Sequence, residues 1–193
     1  MWFDVEHTIE FITNPNSKSN IRIYNYLRKG ILIDTAPLYL MVVGKYDDKN
    51  NTHYLKHFKF DSQDYYCFIN FINSINKYQF FITPHIFTEF VKHINKAIPN
   101  EKHFAEVMDY IGFFFGFINE RYINKNQIIK EKFFRNKVCE IGDISLTLLG
   151  NNMNCGVLIT QDMIFAGHCE KEHKFLIIPY DSIKSALLTM PSG

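Results

Sequence analysis

The sequence is poor in features that indicate disulfide, zinc or membrane chemistry. Its four cysteines include no Cys-x-x-Cys pair, so neither a zinc ribbon nor a disulfide framework is indicated. No apolar run approaches the ~20 residues that a membrane-spanning helix needs, and no basic region followed by an apolar block stands at the N-terminus. We therefore expect a soluble, cytoplasmic protein in a reducing compartment.

The chain also lacks an excess of charge of either sign. Lys and Arg number 21 against 20 Asp and Glu, so no overall field attracts nucleic acid, and any such binding needs a local patch. One candidate is a stretch in which basic residues surround two phenylalanines, because cations neutralise phosphates and rings stack on bases. A solvated loop with buried phenylalanines explains this stretch equally well. Its basic residues are Lys130, Lys132, Arg135 and Lys137.

Short apolar runs alternate with amphipathic segments along most of the chain. Runs of this kind, bounded by loop residues, are typical of buried parallel strands. Their alternation with helical segments indicates an α/β fold with a parallel sheet and right-handed crossovers. The 193 residues suffice for one such domain, which we expect over residues 31–193, with 1–30 as an N-terminal extension of unclear role. The predicted strands are residues 31–33, 78–82, 156–160 and 174–179.

Capping residues and apolar periodicity predict the helices between these strands. The first helix is expected to end near Gly44 and to lead into a polar surface loop over residues 45–60. The helix that begins at Asn100 is expected to include Ile118. The predicted helix starts are Pro37, Asp61 or Ser62, Thr83-Pro84, Asn100 and Gly142-Asp143.

Four acidic residues occupy positions where strands end or helices begin. Asp34 follows the first strand and Asp162 follows the third, while Glu89 and Asp143 lie in the first turns of helices. The carboxyl ends of parallel strands share one edge of a sheet, so these carboxylates should converge there. Each acid alone is explained by helix capping or by a solvated loop. Together they would repel one another without a cation, and hard divalent ions prefer oxygen ligands.

A second set of polar residues follows one helical face. His85, Glu89 and His93 are spaced four residues apart, which is compatible with a transition-metal site but is more often only the polar side of an amphipathic helix. His85 is also expected near the crevice, where it could contact a substrate phosphate.

Several of these segments resemble the motifs of the PIN domain family, a metal-dependent nuclease fold found among bacterial toxin ribonucleases and RNA-processing enzymes. The most specific parts are residues 82–90, which contain Thr-Pro-His-Ile-Phe-Thr-Glu, and residues 158–162, which read Leu-Ile-Thr-Gln-Asp. The apolar strand before Asp34-Thr35 and the Gly142-Asp143 pair complete the resemblance, which covers about residues 31–180. One departure is Ala36, at a position where relatives often carry asparagine.

This resemblance implies a three-layer α/β/α sandwich with a central parallel sheet of four to five strands. It also implies an Mg²⁺- or Mn²⁺-dependent endoribonuclease, with RNA as the substrate, a homodimer, and in toxin members an antitoxin partner. The alternative is a catalytically silent PIN-like scaffold that binds RNA or a partner protein. Thr35, His85 and Thr160 are expected to contact substrate, with Thr160 orienting a ligand carboxylate or water. The implied catalytic and metal-binding residues are Asp34, Glu89, Asp143 and Asp162.

Overall fold

The computed structural model describes residue 10 and residues 20–131, 139–172 and 175–189. Strands and helices alternate along this part of the chain, as the sequence predicts. In chain order the elements are α1 (Asn20–Leu27), β1 (Ile31–Ile33), α2 (Thr35–Asn50), a 3₁₀ helix (Tyr54–Phe58), α3 (Ser62–Ile75), β2 (Phe80–Ile82), α4 (Pro84–Ala97), α5 (Glu101–Phe115), β3 (Ile118–Glu120), α6 (Lys125–Lys130), α7 (Ile141–Met153), β4 (Val157–Thr160), α8 (Met163–Glu172), β5 (Leu176–Pro179) and α9 (Tyr180–Thr189).

The five strands form one parallel sheet in the order β3-β2-β1-β4-β5. Successive strands move outward from β1 to β3, after which the chain returns and places β4 on the other side of β1. Right-handed crossovers then put the two sets of helices on opposite faces of the sheet. The predicted α/β class and three-layer α/β/α sandwich are confirmed. The crevice beyond the carboxyl ends of β1 and β4 is the point where the strand order reverses, which is where such sheets bind ligands.

The sheet is buried on both faces. All three residues of β1 have no exposed surface, and the residues of β2, β4 and β5 are buried as well. This explains why these strands are continuous apolar runs rather than alternating ones. Among the residues that the structure describes, no helix is long and apolar enough to cross a membrane.

Local capping signals place most helix starts correctly. The hydroxyl of Thr83 accepts a hydrogen bond from the Ile86 N–H at 3.3 Å, and Pro84 occupies the first helical position of α4. Asp61 and Asn100 are the N-caps of α3 and α5, as the sequence predicts. These predictions hold because an N-cap needs only residues within one turn of itself.

The predicted end of α2 near Gly44 is wrong. The helix continues to Asn50, and a Cβ at Gly44 would lie 2.3 Å from the ring of Tyr65 in α3. Gly44 therefore marks a close helix–helix contact instead of a helix end. The predicted surface loop over residues 45–60 is likewise largely wrong, because it contains the last turns of α2 and the 3₁₀ helix, with Leu55 and Phe60 buried.

Two further boundaries differ from the sequence prediction. Helix α5 ends at Phe115, and Ile118 belongs to the edge strand β3. Helix α1, which precedes the predicted domain start, contributes Ile23 and Leu27 to the same core. A Cβ at Gly156 would lie 2.0 Å from the carbonyl oxygen of Tyr26, so the end of α1 lies against the start of β4. The division at residue 30 stays a prediction.

The buried carboxylate of Asp47 holds the segment after α2 in place. Its Oδ1 accepts a hydrogen bond from the Thr52 hydroxyl at 2.5 Å, and its Oδ2 accepts one from the Leu55 N–H at 2.8 Å. The residue is only 5% exposed, so water cannot replace these partners readily. Asp47 thereby attaches the 3₁₀ helix to the body of the domain.

We expect Asp47→Asn to lower the free energy of unfolding by about 1–3 kcal/mol, because an amide of the same shape cannot accept both hydrogen bonds and leaves a buried donor unsatisfied. Urea denaturation measures the change. The exposed Asp109→Asn is the matched control, with an expected change within about 0.5 kcal/mol. Equal effects of the two substitutions would contradict the role given to Asp47.

Candidate active site

An open cleft with a volume of about 570 Å³ lies beyond the carboxyl ends of the central strands. The four acids predicted from the sequence, Asp34, Glu89, Asp143 and Asp162, all line it. They come from four separate places in the chain and meet because β1 and β4 are neighbours and because α4 and α7 begin at the same edge. The predicted convergence of these side chains is therefore observed.

Asp34 lies at the centre of the cleft wall. It is the N-cap of α2, and its Oδ1 accepts a hydrogen bond from the Thr35 N–H at 2.7 Å. Its Oδ2 accepts one from the hydroxyl of Thr160, the last residue of β4, at 2.5 Å. With both oxygens held and only 7% of its surface exposed, the carboxylate has a fixed orientation. Thr160 thus orients an acid of the cleft, in line with the expectation for this residue.

Asp143 and Asp162 also make helix-capping hydrogen bonds. Oδ2 of Asp143, in the first turn of α7, accepts from the Glu140 N–H at 2.8 Å. Oδ1 of Asp162 accepts from the N–H groups of Ile164 and Phe165 at 2.8 and 2.9 Å. The capping explanation is therefore correct for these acids, but it does not exclude a site. Within the described residues, the capping bonds use one oxygen of each carboxylate and leave the other for a ligand.

The side chain of Glu89 extends from α4 past Gly142 in the first turn of α7 and lines the cleft. A Cβ added at Gly142 would lie 2.7 Å from its Oε2, so the carboxylate rests where any other residue would carry a side chain. On its other side, Oε1 lies 3.8 Å from Nε2 of His93, one helical turn further along α4. The side chain of Glu89 is one quarter exposed, at 25%. Glu89 is thus more exposed than Asp34 and Asp143, which are buried, and less exposed than Asp162.

Burial and mutual repulsion disfavour negative charge in the cleft. Burial raises the pKa of Asp143 to about 8, with Asp34 as the largest further contribution. Burial, helped by Glu140 and Asp34, raises the pKa of Glu89 to about 7. Burial also raises the pKa of Asp34, despite its hydrogen bonds from Thr160 and Thr35. In the part of the chain that the structure describes, no Lys or Arg forms an ion pair with these carboxylates. The cleft therefore favours bound protons or a bound cation.

The hydroxyl of Thr35 is the one buried side-chain oxygen or nitrogen, among the residues described, that has no hydrogen-bond partner. Thr35 is 3% exposed and lines the cleft, and its hydroxyl lies close enough to Glu89 to lower the pKa of that carboxyl as a hydrogen-bonding neighbour. A small movement toward Glu89, or toward a bound group, would give the hydroxyl a hydrogen bond of good geometry.

The donor set fits a hard divalent cation, because it consists of carboxylate and hydroxyl oxygens. The carboxylates are nevertheless not yet gathered around one point. Within residues 20–131, 139–172 and 175–189, no group of three or more His, Cys, Asp or Glu side chains is arranged so that it could hold a metal ion. A cation would have to draw the side chains together. Glu89 has the freest path, since neither of its oxygens bonds a backbone N–H in the described structure.

Two further residues predicted to bind substrate do not line the cleft. These are His85, in the first turn of α4, and Lys130, which is exposed at the end of α6. The other three residues of the basic stretch, Lys132, Arg135 and Lys137, lie outside the described residues. Ala36 lines the cleft with a small apolar side chain.

The cleft also contains residues that the sequence did not single out. Glu140 lies three residues before Asp143, a spacing that is typical of helix starts and could have identified it. Cys139 is a protonated thiol, because burial and then Asp143 raise its pKa to about 11. Phe58 enters from the 3₁₀ helix, and nothing in the neighbouring sequence indicates a contact so far along the chain.

The predicted row of His85, Glu89 and His93 does not form a three-ligand metal site in the described structure. His93 instead places its Nδ1 3.0 Å from Nε2 of His57, in the 3₁₀ helix, while its Nε2 faces Glu89. The transition-metal alternative therefore has no support from the geometry.

Comparisons with protein-family models, with curated proteins and with solved structures give no match for this chain. The resemblance to PIN domains consequently stays a prediction from its motifs. What can be said of function depends on the cleft itself.

Proposed function

We propose that this protein is a metal-dependent endoribonuclease of PIN-like type that hydrolyses RNA phosphodiester bonds in the acid cleft. The observation that carries the proposal is the meeting of four carboxylates at the point where the strand order reverses. Such a concentration of negative charge is costly for an unliganded protein. A divalent cation offsets that cost and makes the cleft useful for phosphate chemistry.

Asp34, Asp143 and Asp162 would hold Mg²⁺ or Mn²⁺. When bound, the ion supplies an acidified water and stabilises charge on the phosphodiester during in-line attack. Thr160 keeps Oδ2 of Asp34 in a fixed orientation through its hydroxyl. Glu89, with a pKa of about 7, is suited to take a proton from the attacking water near neutral pH, or to complete the ligand set. The Thr35 hydroxyl would find its partner in the bound ligand.

A second candidate is a catalytically silent scaffold that binds RNA or a partner protein. One observation favours it: Asp34, Asp143 and Asp162 all accept hydrogen bonds from helix N-termini, and no described group is arranged to hold a metal ion. On this view the acids are structural. The convergence of the acids in one cleft and the raised pKa values of Asp143 and Glu89 favour the nuclease instead. An antitoxin partner and a homodimer stay predictions of the family resemblance.

The test is cleavage of a mixed total-RNA pool by the purified protein with Mn²⁺, beside the Asp143→Asn variant and a chelator control. We expect wild-type protein with Mn²⁺ to produce discrete fragments, and both the variant and the chelated sample to leave the pool intact. The fragment ends would identify the bond that is broken. If wild type and Asp143→Asn degrade RNA alike, the cleft is not the site of cleavage and the scaffold candidate replaces the nuclease.

A further inference from the structure

Glu89 is the cleft acid with the fewest direct restraints, yet its position is defined on two sides. We infer that Gly142 and the His93–His57 pair are positioning residues that seat the Glu89 carboxylate in the acid cleft. Gly142 supplies the space, and His93, itself hydrogen-bonded to His57, lies beside the opposite oxygen. This inference rests on the proposed function for its consequence, but the geometry that it describes exists in the metal-free protein.

The space at Gly142 is specific to glycine. It is the second residue of α7, and a Cβ there would meet Oε2 of Glu89 at 2.7 Å and Cδ1 of Ile86 at 3.1 Å. Real Cβ atoms essentially never approach a neighbour within 3.0 Å, so a methyl group would force a movement. The nearest atom is the far end of a flexible side chain, so the carboxylate would move rather than the helices. An alanine at this position should therefore displace Glu89 and preserve the fold.

The second contact joins Glu89 to the 3₁₀ helix through two histidines, of which only the His57–His93 pair lies within hydrogen-bond distance. Nε2 of His93 lies 3.8 Å from Oε1 of Glu89, and Nδ1 of His93 lies 3.0 Å from Nε2 of His57. A carboxylate only accepts hydrogen bonds. The arrangement that suits it has His57 donating from Nε2 to Nδ1 of His93, which leaves the proton of His93 on Nε2, facing Glu89. His57 then selects the tautomer of His93, as outer partners do for metal-binding histidines.

The rings of both histidines are fixed by aromatic neighbours. His93 packs against Phe58 with ring centroids 4.6 Å apart, and His57 packs against Phe58 and Tyr39 at 5.3 and 5.9 Å. Phe58 is also part of the cleft wall. The 3₁₀ helix, which the sequence predicted to be part of a surface loop, thus supports the cleft in two ways. Phe58 lines the cleft directly, and His57 contacts His93, which lies beside Glu89.

The first part of the test needs no metal. ¹⁵N NMR of the imidazole rings gives the tautomer of His93, and the ¹³C shift of the Glu89 carboxyl carbon reports its surroundings, with Glu89→Gln for assignment. We expect His93 to carry its proton on Nε2 in the wild type and to lose this preference in His57→Phe. We expect Gly142→Ala to move the Glu89 carboxyl signal and Gly112→Ala to leave it unchanged, because a Cβ at Gly112 meets nothing within 4 Å.

The second part measures consequences for the cleft. Outer-partner substitutions typically cost about 10- to 100-fold in metal affinity or activity. We expect Gly142→Ala to weaken Mn²⁺ binding about tenfold or more, on the scale of such effects. His93→Phe, which keeps a ring against Phe58, should lower kcat about tenfold with KM unchanged, and His93→Gln should restore part of the loss.

The outcomes separate the two proposals. A proton on Nδ1 of His93, with an unmoved Glu89 signal in Gly142→Ala, would overturn the positioning role whether or not the protein cuts RNA. If the wild type neither binds Mn²⁺ nor cleaves RNA while the NMR results are as expected, the proposed nuclease fails and the seating of Glu89 stands.

Discussion

Asp34→Asn is expected to lower the rate of Mn²⁺-dependent RNA cleavage about a hundredfold or more, which corresponds to about 3 kcal/mol of lost stabilisation at tenfold per ~1.4 kcal/mol. The substitution removes the charge and one accepted hydrogen bond. An asparagine oxygen can still accept from the Thr35 N–H and keep the start of α2 capped, but its amide cannot accept from the Thr160 hydroxyl and can only donate to it. The loss would therefore report the charge of the cleft instead of a broken helix start. Initial rates on a defined fragment of the cleaved RNA measure it.

Asp47→Asn is the matched control for this experiment. Asp47 and Asp34 are both buried aspartates, 5% and 7% exposed, at opposite ends of α2, but only Asp34 lines the cleft. At a temperature where both variants are folded, we expect Asp47→Asn to lose at most about tenfold in cleavage rate, because Asp47 reaches the cleft only through the 3₁₀ helix that carries His57 and Phe58. Comparable losses of cleavage in the two variants would show that the rate follows the integrity of α2, and the catalytic role of Asp34 would be wrong.

The second large effect concerns stability and pH. The pKa of Asp143 rises from 3.8 to about 8 on folding, mainly through burial, so the folded protein binds more protons than the unfolded chain between these values. The free energy of unfolding of the metal-free protein should therefore fall as the pH increases from 4 to 8. Asp143→Asn removes this contribution, so it should stabilise the metal-free protein by about 2–4 kcal/mol more at pH 8 than at pH 5, because each pH unit in this window is worth about 1.4 kcal/mol.

A bound divalent ion should make the wild type more stable than Asp143→Asn at pH 8, which is the reverse of the order expected without metal. Mn²⁺ at about 100 times its dissociation constant stabilises a folded protein by about 2.7 kcal/mol. We expect it to raise the melting temperature of the wild type more at pH 8 than at pH 5.5, because protons and the ion compete for the same carboxylates. Asp143→Asn should show little of this gain. Thermal melts of the wild type and Asp143→Asn at pH 5.5 and pH 8, with and without Mn²⁺, measure these changes in melting temperature. If Asp143→Asn is less stable than the wild type at pH 8 without metal, the account is wrong.

The sequence predicted those features of the fold that depend on near neighbours. Thr83, Asp61 and Asn100 were identified as helix starts because a cap and its N–H partners lie within one turn. The strands were predicted because burial on both faces leaves a continuous apolar run. Gly44 was misread because a glycine that ends a helix and one that admits a neighbouring ring are alike in sequence. Only the position of Tyr65 in α3 distinguishes them.

In the candidate site, too, the features that depend on near neighbours were predicted and those that depend on packing were not. The four acids were predicted because each follows a strand or begins a helix, which is a local property. The roles of Gly142, His57 and Phe58 depend on how α4, α7 and the 3₁₀ helix pack, and no neighbouring residue reports that packing. His85 was expected near the crevice, and the structure leaves it outside the cleft lining.

The pairing of β1 with β4 has a consequence for the order in which the protein is made. The Thr160 hydroxyl that orients Asp34 comes from a residue 126 positions later in the chain. A growing chain that already contains Asp34 and Glu89 still lacks β4 and Asp162. Its acids are therefore not yet brought together in the cleft. The cleft can form only after most of the polypeptide has been synthesised. A truncated product that ends before β4 would therefore have no assembled acid cleft.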